Sequence, residues 1–181
     1  MMNNQVDTDT RKERIKKQWA LFITGLIAII IGIVILGFFG LQKIRREIER
    51  QKLFKENAVV EIQDLKIKAP VLEGTDKATL SRAAGHFEGK GIPGSGNYCI
   101  AGHSSVIYKE YFNNLKKAEN GMEIILYDKE KNRYKYTVTD KLIVEPDDTW
   151  ILNDFGDNRI TIITCTDDGT QRQVIIGTME T

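Results

Sequence analysis

The chain has 181 residues, with 26 Lys and Arg against 25 Asp and Glu, for a net charge of +1. That length suits one globular domain with an appendage. Residues 1–58 hold eleven basic and six acidic residues (net +5), whereas residues 59–181 hold 15 and 19 (net −4). The slightly acidic main segment argues against nucleic-acid binding, which calls for a basic face. Two cysteines exclude a disulfide-dense secreted scaffold.

The N-terminal region contains 23 consecutive uncharged residues, Trp19–Leu41. As a helix they span about 35 Å, enough to cross a bilayer. The run is longer than the apolar part of a signal peptide and lacks a small-residue cleavage site, so we predict an uncleaved membrane anchor. Residues 1–18 are then a polar tail. Five basic residues flank the run on each side, so the positive-inside rule leaves the orientation open.

Residues 42–58 are charged and have apolar residues at helical spacing. They either extend the membrane helix or form a stalk. We interpret them as a stalk, because like charges cluster there.

The remaining segment, residues 59–181, has short β-like runs separated by turn residues, which predicts a mainly β domain. The predicted strands are Val59–Lys68, Asn97–Ala101, Met122–Tyr127, Arg133–Val144, Arg159–Thr164 and Arg172–Thr178. The first should end at Ala69-Pro70, since proline removes a ladder donor. Short helical pieces are predicted at Lys77–Ala84 and Tyr108–Lys117. Six to eight strands with little helix favour a closed or nearly closed antiparallel barrel.

A glycine-rich stretch runs from Gly85 to Gly96. The glycines match no phosphate-cradling pattern and no helix follows directly, which argues against a nucleotide site.

Cys165 is the candidate nucleophile. It ends a strand rich in β-branched residues and is followed by the turn Asp167–Thr170, so it combines a rigid support with access to solvent. The alternative is a buried core cysteine, the usual environment for this residue type. We interpret Cys99, within a predicted strand, as such a core residue.

A cysteine nucleophile needs a proton-transfer partner, and the chain has two histidines. His103 directly follows a predicted strand, whereas His86 lies in the glycine-rich stretch, so we favour His103. Arg172 opens the last predicted strand, which a hairpin returns beside Cys165. A guanidinium there could stabilise an oxyanion or hold substrate carbonyls. The alternative for Arg172 is a solubilising arginine on an edge strand.

These residues carry a family resemblance. Thr161-Ile162-Ile163-Thr164-Cys165 resembles the sortase signature Thr-Leu-any-Thr-Cys, with Ile162 in place of leucine. Ile100-Ala101-Gly102-His103 resembles the sortase histidine motif, and Arg172 occupies the family's arginine position. The resemblance covers roughly residues 59–178.

The resemblance implies a sortase-type closed eight-stranded β-barrel over residues 59–181 and a membrane-bound cysteine transpeptidase of a Gram-positive surface. Cys165 would attack the Thr–Gly bond of a Leu-Pro-any-Thr-Gly-like sorting signal and form a thioacyl enzyme. His103 would act as general acid and then base, and Arg172 would stabilise the oxyanion. The implied partners are surface proteins that bear the signal and an amine acceptor of the cell wall. The catalytic domain would then lie outside the cell and residues 1–18 in the cytoplasm.

The subtype expected within the family is class A or class D. No apolar run follows Ile176, as a pilin-polymerising member would have, and the loop Glu145–Asn158 is too short for a class B insertion. Some members bind calcium near this loop. Glu145, Asp147 and Asp148 are present, but the sequence supports no metal, so no cofactor is expected.

Three alternatives stay open. A membrane-anchored cysteine peptidase would use the same three residues without transfer to an amine. A non-catalytic β-barrel adaptor of the cell envelope would have a buried, unreactive Cys165. Thiol–disulfide exchange is disfavoured because the chain has no Cys-x-x-Cys motif.

Overall fold

The computed structural model describes residues 3–104 and 111–179, in two compact units that divide between Arg50 and Gln51. Helix α1, Asn3–Glu56, makes up the first unit and extends into the second. Among the described residues it is the one helix long and apolar enough to cross a membrane. The helix continues through residues 42–56, so this segment is helical, and its interpretation as a stalk stays a prediction.

The second unit is a closed barrel of eight strands in the order β1-β2-β3-β4-β7-β8-β6-β5. The strands are β1 Ala58–Ile62, β2 Ile67–Glu73, β3 Ala84–His86, β4 Asn97–Ala101, β5 Glu123–Tyr127, β6 Arg133–Val144, β7 Arg159–Cys165 and β8 Arg172–Thr178. Helix α2, Lys77–Leu80, precedes β3, and 3-10 helices cover Gln63–Leu65, Leu115–Lys117 and Thr149–Leu152. The predicted mainly β, closed eight-stranded barrel is confirmed, and β4 to β8 agree with their predicted bounds to within one residue.

The expectation of a wholly antiparallel barrel is wrong at two strand pairs. β2 pairs with β3, and β4 with β7, in parallel. Parallel neighbours need a crossover instead of a hairpin. Helix α2 supplies the first crossover, and β5 and β6 lie between β4 and β7 in the chain.

The prediction of a single strand at Val59–Lys68 is also wrong. The chain turns at Gln63–Leu65, and Lys66 takes a left-handed conformation with φ of 54°, so that Ile62 and Ile67 become partners in an antiparallel pair. Because the apolar pattern of the sequence continues across this turn, the pattern does not indicate the turn. β2 runs through Pro70 because β3 pairs only from Val71 onward, which leaves the proline a partner on one side only.

The helical pieces differ from their predicted lengths. Helix α2 ends at Leu80, and Ala84, predicted as helix, begins β3. The predicted Tyr108–Lys117 piece lies partly outside the described residues, and its visible end is the 3-10 helix Leu115–Lys117.

Two apolar clusters form on opposite sides of the sheet. The interior cluster fills the barrel and includes the fully buried Ile100, Ile162 and Ile175. We call the second the outer cluster; its buried members are Val144, Ile151, Ile163, Val174 and Ile176. Because side chains alternate along a strand, β7 and β8 contribute to both clusters. The 3-10 helix Thr149–Leu152 covers the outer face through Ile151.

Gly85 in β3 lies at a close approach between two backbone segments of the barrel. A Cβ at this position would lie 2.2 Å from the Gly74 carbonyl oxygen. We expect Gly85→Ala to lower the free energy of unfolding by about 3 kcal/mol, as an overpacked site does. Urea denaturation of the full chain in detergent measures this loss.

Gly156→Ala is the matched control, because Gly156 has φ of 78° and open space around its Cβ position. Left-handed strain alone should cost about 1 kcal/mol. Equal losses in the two variants would contradict the close approach of the backbone at Gly85.

Candidate active site

β7 lies between β4 and β8, and its last residue is Cys165. Cys165 pairs directly with Arg172, the first residue of β8. Opposed residues of an antiparallel pair have Cβ atoms about 5 Å apart and point to the same face. The hairpin therefore sets the guanidinium-bearing side chain beside the thiol-bearing one.

His103 reaches the same end of the barrel through β4. In the parallel pair, Ala101 is the partner of Ile163, and His103 and Cys165 each lie two residues further on. The Gly102 N–H donates to the Ile163 carbonyl over 3.0 Å. The Thr164 hydroxyl donates to the Gly102 carbonyl over 2.8 Å. These two bonds hold the end of β4 against the end of β7.

Cys165 and Arg172 share the outer face of the sheet. Ile163, Val174 and Ile176 belong to the outer cluster, and side chains two residues apart along a strand point the same way. His103 lies two residues beyond the end of β4, at the same end of the barrel. His103 is exposed, and Cys165 is half-buried with a free thiol. The structure thus places the three predicted residues at one end of the barrel, while their catalytic roles stay predictions.

Gly102 has a packing role immediately before His103. A Cβ at this position would lie 2.5 Å from ring atoms of Phe112, which is buried in the interior cluster. The Phe112 N–H also donates to the His103 carbonyl over 3.4 Å. The glycine lets an aromatic ring pack against the backbone that carries the histidine.

Arg172 is held by the turn that follows β7. Its Nη1 atom donates to the carbonyls of Gln171 (3.1 Å) and Gly169 (3.4 Å). Among the ion pairs of the described residues none involves Arg172. Two neutral carbonyls of the turn therefore orient the cation.

Asp168 organises this turn. Its carboxylate accepts from the hydroxyls of Thr166 (2.6 Å) and Thr170 (2.8 Å), and these bonds lower the pKa of Asp168 to about 2. A depressed pKa means that the bonds favour the ionised form. Their stabilisation is complete above the ordinary Asp pKa of about 3.9 and is lost as the pH falls through about 2. The Asp168 carboxylate is therefore ionised at neutral pH, the form that accepts from both hydroxyls.

The same turn is tied to its neighbours. The Asp167 carboxylate pairs with Lys116 at 2.7 Å, and Gln171 donates to Glu145 over 2.7 Å. Each exposed contact is weak by itself, but they fix the turn from two sides.

The acids considered for calcium take part in local hydrogen bonds. Glu145 accepts from Gln171, and the Asp148 carboxylate accepts from the Glu145 N–H over 2.8 Å. Within residues 3–104 and 111–179, no group of three or more His, Cys, Asp and Glu side chains is arranged to hold a metal. The expectation that no cofactor is needed stays a prediction.

The other histidine is used in the fold. His86 is buried; Nδ1 lies 2.9 Å from a Glu73 carboxylate oxygen and Nε2 lies 2.9 Å from the Lys90 carbonyl. Its ring stacks on Tyr98 at 4.3 Å between centroids. These contacts anchor the glycine-rich loop between β3 and β4 and leave His86 unsuited to proton transfer at Cys165.

Cys99 is buried in β4, which confirms its interpretation as a core residue. Burial raises the pKa of the Cys99 thiol to about 11. A neutral, enclosed thiol is a poor nucleophile at pH 7.

Apolar residues of β4, β7 and the 3-10 helix Thr149–Leu152 cluster on the outer face, the face that carries Cys165. We call this apolar strip the groove: Ala101 and Ile163 of the two strands are its floor, Ile151 and Leu152 of the 3-10 helix are one side, and Phe87 completes it, all of which belong to or contact the outer cluster. β4 and β7 run along the groove in parallel. An extended peptide laid along these strands would end at the thiol.

Sequence reasoning assigned no role to Thr164 or Asp168. Threonine within a strand indicates only β propensity, and Asp followed by Gly indicates only a turn. Only the register of β4 against β7, and the fold of the turn around Arg172, reveal what these side chains bind.

Comparison with known proteins agrees with this arrangement. Residues 60–180 match the Sortase domain family model. Sortase A of Bacillus anthracis is 31% identical over 135 residues, which cover 72% of this chain and 64% of that protein. The chain spans about half to two thirds of the length of the curated relatives it matches.

Solved structures show the same similarity. Listeria monocytogenes sortase A superposes with a TM-score of 0.65 at 28% identity, covering 70% of this chain and 88% of the other. The Clostridium perfringens sortase D5 transpeptidase gives a TM-score of 0.63 at 29% identity, covering 75% and 89%. A sortase C structure from Actinomyces oris matches with a TM-score of 0.63 at 27% identity, covering 68% of this chain and 71% of the other, so the class within the family stays a prediction.

The two cysteines should differ sharply in reactivity. We expect iodoacetamide at pH 7 to label Cys165 in the folded full chain and to leave Cys99 unmodified, because Cys99 is enclosed and its pKa is about 11. Peptide mapping by mass spectrometry locates the label. In guanidinium both thiols should react. Native labelling at Cys99, or an inert Cys165, would contradict this assignment.

Proposed function

Because the chain belongs to the sortase family, we propose that it is a membrane-anchored cysteine transpeptidase that cleaves a Leu-Pro-any-Thr-Gly-like sorting signal between Thr and Gly. The observation that carries the proposal is the direct pairing of Cys165 with Arg172. The bond from the Thr164 hydroxyl to the Gly102 carbonyl holds the backbone just before His103 beside this pair. A nucleophile, a proton carrier and a permanent cation then lie at one end of the barrel, at the end of an apolar groove.

In the first step, the Cys165 thiolate attacks the carbonyl carbon of the signal's threonine. The carbonyl oxygen gains negative charge, which the Arg172 guanidinium stabilises. As the intermediate collapses, the C–N bond to glycine breaks and protonated His103 gives its proton to the leaving amine. The products are a thioacyl enzyme and a free glycine amine.

In the second step, an acceptor amine attacks the thioester carbon. His103 takes the proton that the amine loses, the C–S bond breaks, and Cys165 leaves as a thiolate. The protonation states of Cys165 and His103 return to those at the start. The cycle needs no cofactor, since every proton moves between these groups and the two amines.

The groove supports a peptide substrate of this kind. From Asn97 to His103 the strand direction covers six residues, or about 20 Å, and a five-residue extended peptide spans about 16 Å. Apolar side chains line the groove, which suits the leucine and proline of the signal. We expect the scissile carbonyl to arrive beside Arg172, which two carbonyls of the turn orient.

We propose a single-pass topology for the chain. The apolar part of α1 is long enough to cross the membrane, and the two basic flanks do not distinguish the sides. The substrates, surface proteins and a cell-wall amine, are outside the cell, so the barrel would lie outside and residues 1–18 in the cytoplasm.

Product analysis tests the proposal. The full chain in detergent is incubated with a Leu-Pro-any-Thr-Gly peptide, with and without triglycine, and products are identified by mass spectrometry. We expect cleavage after threonine and a new product joined to triglycine. Cys165→Ala and His103→Ala should lose at least about 10³-fold in rate, the scale seen when a unit of catalytic residues is broken. Cys99→Ala, the matched cysteine control, should stay active.

The other outcomes separate the alternatives. Cleavage without any triglycine product would favour the peptidase. No turnover with a panel of variant signals, together with a Cys165 that resists alkylation, would favour the adaptor. Activity that survives Cys165→Ala would overturn the assigned nucleophile.

Asp168 should influence the reaction through Arg172. We expect Asp168→Ala to lower kcat about tenfold, since one loosened electrostatic contact in the transition state is worth about that much. Steady-state cleavage of the same peptide measures the change. Asp154→Ala is the matched control: it removes a similar carboxylate bond to a turn N–H, that of Gly156 at 2.9 Å, without contact to Arg172. Equal effects in the two variants would contradict the role of Asp168.

A further inference from the structure

Asn97, the first residue of β4, is buried and makes three hydrogen bonds across the outer face. Its Nδ2 donates to the carbonyls of Ile151 (2.9 Å) and Asn153 (2.8 Å). Its Oδ1 accepts from the Thr161 hydroxyl over 2.7 Å. Asn97 is 3% exposed and Thr161 is 0% exposed, and the bonds to Ile151 and Thr161 are buried away from water.

These bonds join segments that are far apart in sequence. Asn97 is the first residue of β4 and Thr161 the third of β7, the two parallel strands that form the floor of the groove. Ile151 and Asn153 belong to the connection between β6 and β7, which forms one side of the groove. One amide therefore fixes the distance between the floor and that side.

The chemistry of the amide makes this contact directional. Two neighbouring carbonyls need donors, and a hydroxyl needs an acceptor; a single Asn side chain supplies both. Asp would keep the acceptor but would set a charge against two carbonyl oxygens. Ala would leave two buried carbonyls without these donors, which is costly inside a protein.

The packing links Asn97 to the substrate site. The Asn153 N–H donates to the Trp150 carbonyl, which closes the 3-10 helix Thr149–Leu152. Ile151 and Leu152 of this helix contact the outer cluster beside Ala101 and Ile163. A peptide laid on the floor would meet this helix, whose backbone the Asn97 amide binds at Ile151 and Asn153.

We propose that Asn97 is a positioning residue that sets substrate selectivity: its amide holds the 3-10 helix Thr149–Leu152 in place, so that the groove accepts a branched aliphatic residue upstream of the scissile bond. This inference rests on the proposed function. Asn97 lies six residues before His103, about 20 Å along the strand, and so acts on binding and not on the chemical step.

The first experiment needs no activity. Hydrogen exchange of the full chain in detergent is followed by mass spectrometry over residues 149–153. In Asn97→Asp and Thr161→Val we expect exchange in this segment at least about tenfold faster, because losing a buried hydrogen bond shifts a local opening equilibrium by that much or more. Exchange in β7 and β8 should be unchanged, which shows that the barrel stays folded.

Asn158→Ala is the matched control. Asn158 also uses its side chain to join the β6–β7 connection to the start of β4, by accepting from the Gly96 N–H over 3.2 Å. This bond is exposed and lies outside the 3-10 helix. Exchange over residues 149–153 should match that of the unaltered chain.

The second experiment uses peptide kinetics. We expect Asn97→Asp to raise KM for a Leu-Pro-any-Thr-Gly peptide about tenfold while kcat changes less than about twofold. The preference for this peptide over one with Ala in place of Leu should fall by a similar factor. A variant that was only unstable would lose apparent kcat in proportion to the unfolded fraction, with KM and selectivity unchanged.

Each outcome has one meaning. Unchanged exchange in Asn97→Asp and Thr161→Val overturns the positioning role. Faster exchange with unchanged KM and selectivity overturns the link to substrate. A fall in kcat alone would place the effect at the catalytic residues and also overturn the proposal. If the unaltered chain cleaves no peptide, the proposed function fails, while the exchange result still decides whether Asn97 holds the helix.

Discussion

The placement of β7 between a parallel β4 and an antiparallel β8 is the constraint on which the site depends. It puts Cys165 opposite Arg172 and sets the end of β4 beside the end of β7. A shift of one residue in the register would turn Cys165 toward the barrel interior, because strand side chains alternate. The fully buried Ile162 and Ile175 oppose such a shift, since it would expose them. The interior core thereby maintains the geometry of a site on the outside.

The parts of the site outside the strands are held mainly by polar side chains that bind backbone or neighbouring hydroxyls. Thr164 fastens the loop that carries His103, Asp168 shapes the turn that orients Arg172, and Asn97 secures one side of the groove. Such bonds are directional, and buried ones are costly to leave unmade. Apolar packing supplies most of the stability, while these few bonds decide where the loops lie relative to the thiol.

The sequence predicted the strands of the barrel and the strand-end positions of Cys165 and Arg172 because their signals are local, while the catalytic roles of the site residues stay predictions. β-branched runs mark strands, and a cysteine or histidine at a strand end marks a rim position. Pairing partners are not local, and this is why the parallel β2–β3 and β4–β7 pairs were missed. The turn at Lys66 was hidden by a continuous apolar pattern. Asn97 and Thr161 are 64 positions apart, and neither residue type identifies the other as its partner before the fold is known.

The central claim is that Cys165 carries the acyl group, and direct capture of that intermediate tests it best. The full chain is mixed with a Leu-Pro-any-Thr-Gly peptide without an added amine, and the reaction is quenched in acid within seconds. The intact mass of the protein is then measured by mass spectrometry. The account predicts a mass increase equal to the peptide through its threonine, mapped to Cys165 and removed by triglycine before the quench. Turnover without any adduct, or an adduct on another residue, would contradict it.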